Sequence, residues 1–267
     1  MAHWFSMSQV YRLALLGDPV VHSRSPAIHA AALSLSGLTG EYKAITANQQ
    51  VLEKTLTDLR SGAIDGINVT MPLKRIAFEL ADDTTSEGRL AGSVNTLKRS
   101  EGGLVLGHST DAVAFREIFE DEGFKDLNSV LVLGAGGSAA AALAALGGRI
   151  GYLSARTPGT AQALAETFDS VGVIPWGASV AGAVVVNATP LGMSGERLPE
   201  GVVDLAGALV DLPYADANTP ATTEAMERGM LAVDGFEFLA RQAAASFRWW
   251  TGENVDSAEL AEIARND

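Results

Sequence analysis

The stretch "VLVLGAGGSAA" (Val130–Ala140) decides the fold. Four apolar residues run into a turn holding Gly134, Gly136 and Gly137, and an alanine-rich segment, "SAAAALAALGG", follows. The first part has the length and β-branched content of a buried strand, and the last part reads as a helix. Glycine suits the junction because backbone N–H groups can then approach a pyrophosphate closely, while the helix N-terminus adds partial positive charge. The competing reading is a tight strand-to-helix turn whose glycines serve packing alone. The spacing, G-x-G-G-x-A, also departs from the common G-x-G-x-x-G.

The end of the next strand separates the cofactors such a unit could hold. An NAD-binding unit usually places Asp or Glu about 20 residues on, against the ribose 2'-hydroxyl, whereas an NADP-binding unit has Arg nearby. Here the sequence is "YLSARTPG", with Arg156 and Thr157 and no acid. NADP is favoured, although an ordinary solvated surface arginine explains Arg156 equally well.

Outward from this unit, short β-rich runs alternate with helical patterns: "YRLALLG", "EYKAIT", "DGINVT" and "SVNTLKR" before it, then "RIGYLSA", "VGVIPW" and "AVVVNAT" after it. Strands separated by helix-length segments imply right-handed βαβ units and a mostly parallel sheet, so the class is α/β. The 267 residues, nearly half of them apolar, suffice for one large core or two modest ones, and two domains are expected. Residues 1–111 would form the first and 112–239 the second, with the C-terminal helices, about 240–267, rejoining the first. In "FEFLARQAAASFRWW", residues Phe236, Leu239, Ala240, Ala243 and Phe247 make a buried stripe, while Gln242 falls in a second row with Phe238, Ala245 and Trp249.

A formal charge of −13 argues against nucleic acid and anionic membrane as partners, since both demand a basic surface. There is no cysteine, which excludes disulfides, thiolate metal sites and cysteine nucleophiles and makes a reducing cytoplasm the simplest setting. No apolar run reaches the roughly 18 to 20 residues of a spanning helix, and "MAHWFSMSQVYR" lacks a signal peptide's apolar centre. The four histidines have no metal-ligand spacing, so no metal is expected, and His22 reads as a turn residue.

Polar residues in the first half fall at strand ends, where open α/β sheets collect ligands. "GDPVVHSRSP" (Gly17–Pro26) carries Ser23 and Ser25, the latter fitting a helix N-cap ahead of Pro26. Alternation predicts that the two serines face one way and Arg24 another. "GINVTMPLK" puts Asn68 and Thr70 on one face of a strand, with Lys74 just beyond it. A lysine there could act as a general acid or base, but most lysines are solvated surface charges. "AGSVNTLKR" contributes Asn95 and Thr96, and "STDAVAFREIFE" places Asp111 at a helix start, where plain N-capping would also account for it.

Together "GDPVVHSRSPAIH", "GINVTMPLK", "GSVNTL", "STD", "GAGGSAA", "ART", "NATPLGM", "DLPY" and "GFEFLARQA" closely resemble the shikimate dehydrogenase family over nearly the whole chain. That resemblance implies an N-terminal substrate domain and a C-terminal Rossmann-like domain. The implied chemistry is reversible, NADP-dependent reduction of 3-dehydroshikimate to shikimate. It implies further that Ser23 and Ser25 bind the substrate carboxylate with Tyr214 nearby. Asn68, Thr70, Asn95, Asp111 and Gln242 would hold the ring hydroxyls, and Lys74 would be the acid/base beside Asp111. For the cofactor it assigns Gly134, Ala135, Gly136, Gly137 and Ser138 to the pyrophosphate and Arg156 with Thr157 to the 2'-phosphate. Thr189, Leu212 and Gly235 would lie along the nicotinamide, although Thr189–Met193 also reads as a simple strand-to-turn segment. The small-molecule substrate would be met by a monomer or homodimer.

Departures from the family pattern stand at Ser109, where asparagine is usual, at Ala114 for glycine, and at Ala140, Gly159 and Thr160, where basic residues often occur. Ser109 is expected to loosen Asp111, and Arg156 is expected to meet the 2'-phosphate alone. The alternatives are a relative acting on quinate or aminoshikimate, with NAD in place of NADP, and a non-catalytic binding module that kept the fold. The presence of both Lys74 and Asp111 speaks against the last.

Overall fold

The computed structural model describes residues 9–267. The opening eight residues, part of the segment read as lacking a signal peptide, lie outside them. The first half runs β1 (Val10–Gly17), α1 (Ser25–Leu35), β2 (Thr39–Thr46), α2 (Gln49–Ser61), β3 (Gly66–Val69), α3 (Lys74–Leu80), β4 (Asp83–Thr84), α4 (Ser86–Ala91), β5 (Thr96–Arg99), β6 (Val105–His108) and α5 (Thr110–Glu120). The second runs β7 (Ser129–Leu133), α6 (Gly137–Ala144), β8 (Ile150–Ser154), α7 (Pro158–Ala165), β9 (Val171–Val173), β10 (Val184–Asn187), β11 (Ala208–Asp211), α8 (Pro220–Glu227), β12 (Leu231–Val233), α9 (Gly235–Thr251) and α10 (Ser257–Asn266).

Each half has its own six-stranded sheet. The second, ordered β12-β11-β10-β7-β8-β9, is parallel throughout. From β9 its order is 3-2-1-4-5-6, so the chain reverses direction between β7 and β10, and the glycine turn after β7 opens at that switch point. The first, ordered β2-β1-β3-β5-β6-β4, is mixed. β2, β1 and β3 are parallel, whereas β5 runs antiparallel to both neighbours, and its short hairpin to β6 permits no crossover.

Separate apolar clusters lie under the two sheets. A third joins Ile28, Ala32 and Leu33 of α1 to Ala240, Ala243 and Phe247 of α9 and to Leu260 and Ala264 of α10. The apolar stripe of α9 therefore returns the chain to the first half. α1 differs locally from expectation: Ser25 is its first residue and Arg24 its N-cap, while the Ser23 hydroxyl accepts from the Ser25 N–H at 3.2 Å. No helix among the described residues is long and apolar enough to cross a membrane.

Beneath the first sheet, His29 is fully buried. Its ring stacks on Tyr42 with centroids 4.3 Å apart and planes 13° apart, and Trp250 lies 5.3 Å away. Neither ring nitrogen has a hydrogen-bond partner among the described residues. Burial pushes its pKa down to about 3, because desolvation penalises the imidazolium. Its folded-state pKa is below the unfolded value, so the stabilisation is present above about pH 6.5 and is lost as pH falls toward 3. His29→Phe should flatten this dependence, removing about 2 kcal/mol of the stability lost between pH 7 and pH 5. Urea unfolding of both proteins at several pH values measures it, and parallel curves would show that His29 titrates normally in the fold.

Candidate active site

Between the halves lies a cleft of about 330 Å³. Its first wall is made by the carboxyl ends of β1 and β3, the turn before α1, and the starts of α3 and α5. Ser23, Ser25, Asn68, Thr70, Lys74, Asn95 and Asp111 all line it. From the other side come Ser138, Thr189, Leu212, Tyr214 and Gly235, and α9 adds Phe238 and Gln242. Within the second row of α9, Phe238 and Gln242 face this cleft. Ala245 and Trp249 line a larger cavity of about 790 Å³ on the far side, where Arg116, Arg241 and Arg248 mix with Glu87 and Glu117.

The centre of the cleft is an ion pair. Lys74 Nζ stands 2.5 Å from Asp111 Oδ2, with side chains 16% and 4% exposed. Asn95 clamps the aspartate: its Nδ2 donates to Asp111 Oδ1 at 3.0 Å and to Gln242 Oε1 at 3.2 Å. Its Oδ1 accepts the N–H of Thr110 at 2.7 Å, satisfying a donor that a helix start leaves unpaired. The network continues below. Asn68 Nδ2 bonds to Thr96 Oγ1 at 2.9 Å and to Ser246 Oγ at 3.1 Å, and Tyr42 donates to Asn68 Oδ1 at 2.8 Å. Burial pushes the Tyr42 phenol well above its ordinary pKa, which keeps it a donor.

Sequence reasoning assigns no role to Tyr42, Thr96, Thr110 or Ser246. Ser246 has a readable signal, since it stands four residues after Gln242 and so on the same helical face. The Ser109 side chain accepts from the Ala112 N–H at 3.3 Å as the N-cap of α5, so it supplies the capping oxygen. Lys74 and Asn95 hold Asp111. The serines and Arg24 face as expected, though within a turn and helix start and not a strand. Ser23 and Ser25 line the cleft, while Arg24 turns outward to Asp216 at 3.1 Å and Asp267 at 3.3 Å. His22, read as a turn residue, does lie in a turn, and it also lines the cleft.

On the second wall, Asn187 and Asp211 end adjacent strands and hold the loops after them. Asn187 Oδ1 accepts the Thr189 N–H at 3.1 Å and its hydroxyl at 2.6 Å, and its amide donates to Asp211 Oδ1 at 2.7 Å. Burial raises the pKa of Asp211 against three side-chain donors. Burial likewise raises that of Tyr214, which sits against Ser23 and the Arg24 backbone.

Gly134, Ala135, Gly136 and Gly137 lie beside the cleft along the carboxyl end of β7. Gly134 has φ +106, and a Cβ there would stand 2.9 Å from the Ala188 carbonyl oxygen, so only glycine fits without strain. A Cβ on Gly136 would meet nothing within 4 Å. The N–H groups of Gly136, Gly137 and Ser138 have no acceptor among the described residues. Open space bounded by free donors at a helix start fits a phosphate group. Arg156 and Thr157, past the end of β8, are exposed and do not line the cleft. Among the described residues no three His, Cys, Asp or Glu side chains cluster to hold a metal.

Residues 15–97 match the model of the shikimate dehydrogenase substrate binding domain. A shikimate dehydrogenase (NADP(+)) of one Thermus thermophilus strain is 39% identical over 95% of this chain and 97% of its own. One from an Anaeromyxobacter species is 36% identical over 92% and 93%. The crystal structure of shikimate 5-dehydrogenase from a second Thermus thermophilus strain, in complex with NADP(H) and shikimate, superposes with a TM-score of 0.86 at 38% identity, covering 96% of this chain and 99% of that one. With likeness of this extent in sequence and structure alike, the chain belongs to the shikimate dehydrogenase family.

Proposed function

We propose that this chain is an NADP-dependent shikimate dehydrogenase, reversibly reducing the C3 carbonyl of 3-dehydroshikimate to the hydroxyl of shikimate. The observation that carries this reading is Lys74, held at 2.5 Å by Asp111 in a cleft lined by hydroxyl and amide side chains. NADPH, when bound, supplies the hydride. The residues of the glycine turn fit its pyrophosphate, with Ser138 at the start of the helix, and Arg156 with Thr157 would meet its 2'-phosphate. Thr189, Leu212 and Gly235 form the wall along the nicotinamide.

In the reduction, the carbonyl carbon gains hydride and its oxygen gains negative charge. Lys74 stabilises that charge and transfers an ammonium proton to the oxygen; in the reverse direction it takes the proton back. Asp111 keeps the ammonium oriented throughout. Ser23, Ser25 and Tyr214 bind the carboxylate, and Asn68, Thr70, Asn95 and Gln242 hold the ring hydroxyls. A site that pairs each hydroxyl discriminates against analogues lacking one, because its own buried polar groups would then be stranded. A cytoplasmic setting is part of the proposal, supported by the absence of cysteine, and the working unit is a monomer or homodimer.

Lys74→Ala should lower kcat by about 100-fold or more with a far smaller rise in KM, because an acid/base group acts mainly in the transition state. Retained kcat with raised KM would make Lys74 a binding residue and defeat the mechanism. Initial rates with shikimate and quinate, each with NADP and NAD, test the substrate and cofactor assignments. The shikimate–NADP pair should exceed each other combination roughly tenfold or more in kcat/KM, and a quinate–NAD preference would replace this reading with that of a related dehydrogenase.

A further inference from the structure

Ser138 belongs to the glycine turn, yet its hydroxyl bonds to the other half of the protein. Lys74 Nζ donates to Ser138 Oγ at 2.9 Å, and Ser138 Oγ lies 3.5 Å from Asp111 Oδ2. Two further contacts dock the same point. A Cβ on Gly137 would stand 3.0 Å from Lys74 Cβ and 3.2 Å from its Cδ, so the absence of a side chain there lets the lysine stem lie against the turn. Ser93 Oγ donates to the Gly137 carbonyl oxygen at 3.2 Å. The start of α6 is thus seated on Lys74 and on the segment before β5.

An ammonium has three N–H donors in tetrahedral array. Asp111 engages one of them and Ser138 a second, which leaves one for the cleft. With Asp111 alone, the flexible lysine stem could still swing about the Nζ–Oδ2 contact, carrying the remaining N–H groups to other directions. A second, differently placed acceptor removes that freedom. The acceptor stands on the turn that fits the pyrophosphate, so orienting Lys74 depends on the turn being seated.

We propose that Ser138 is a positioning residue for Lys74, aiming the transferable proton into the cleft and tying its delivery to the seating of the glycine turn. The inference rests on Lys74 being the acid/base. It differs from the pyrophosphate role that the family resemblance implies for this position, which would leave the hydroxyl donating to phosphate.

Steady-state and single-turnover kinetics of Ser138→Ala, Ser138→Thr, Lys74→Ala and the Lys74→Ala/Ser138→Ala double variant separate these roles. Ser138→Ala should slow the single-turnover hydride step about tenfold, leave the KM for NADP within about twofold, and be largely rescued by Ser138→Thr, which keeps the hydroxyl. In the Lys74→Ala background the second substitution should cost nothing more, because a positioning residue has nothing left to position. An unchanged single-turnover rate in Ser138→Ala would overturn the inference, whether or not the KM for NADP rises. So would a full additional loss in the double variant. Were Lys74→Ala itself to keep its rate, the proposed mechanism would fail as well, so the two failures are distinguishable.

Discussion

An ammonium and a carboxylate 2.5 Å apart, with side chains 16% and 4% exposed, impose conditions on everything around them. Taking two charges out of water costs several kcal/mol each, and mutual attraction offsets this only where the remaining polar valences are also met. Asp111 meets the condition through Asn95 and through its place in the first turn of α5, where the helix dipole favours an anion. Lys74 meets it through Ser138. The pair is costly as a fold-stabilising device, since an apolar pair of similar volume would pack without the desolvation. It stands at the one place in the cleft where the proposed reaction needs a proton held and released.

The chain path ties this arrangement to both halves of the protein. α5 begins with Asp111 in the wall of the first half and packs in the apolar cluster of the second through Phe115 and Phe119. α9 starts beside the second sheet, presents Gln242 to the cleft, and ends packed on α1 with Phe247. Two helices therefore cross from one half to the other, and each carries a member of the polar network near its crossing point. Asn95 joins them by reaching Asp111 and Gln242 with one amide. Ser246 extends the link, bonding Asn68, Thr96 and Thr110 at 2.9 to 3.1 Å. A shift of either helix would strand several buried donors at once, each unmade bond costing about 1 to 3 kcal/mol.

Most of this architecture is legible in the residues, and the gaps have physical causes. β7 and β10 announce themselves as valine-rich runs ended by turn residues, but β11 and β12 read ALVD and LAV, each with one β-branched residue and so little to separate it from loop. The antiparallel β5 could not be told from a parallel strand, because pairing direction lies in the connection and the residue pattern is the same. Lys74, Asp111, Asn95 and Gln242 are readable because charged or amide side chains interrupt apolar segments. Tyr42, Thr96 and Thr110 are not: tyrosine and threonine are ordinary strand and cap residues, and their importance arises from contacts across 14 to 150 positions of sequence. At Ser109, residue type alone does not show the role the structure gives it, that of the oxygen capping α5.

On the proposed assignment, recognition of the cofactor would be divided between two environments that obey different physics. The free N–H groups at the start of α6 stand beside a partly buried cleft, where hydrogen bonds to phosphate are little weakened by competing water. Arg156 is exposed on the turn after β8, and the small residues Gly159 and Thr160 follow it in a chain of net charge −13. An exposed ion pair contributes about 1 kcal/mol or less and is screened by salt over roughly 8 to 10 Å. A bidentate guanidinium–phosphate contact exceeds that figure, but only where the side chain is held flat against its partner. Under the proposed assignment, the grip on the dinucleotide as a whole would come from the backbone of the glycine turn, and the distinction between 2'-phosphate and 2'-hydroxyl would fall on one solvated side chain. Binding strength and cofactor selectivity would then be carried by separate parts of the sequence, and substitutions around Arg156 would alter the second while leaving the first in place.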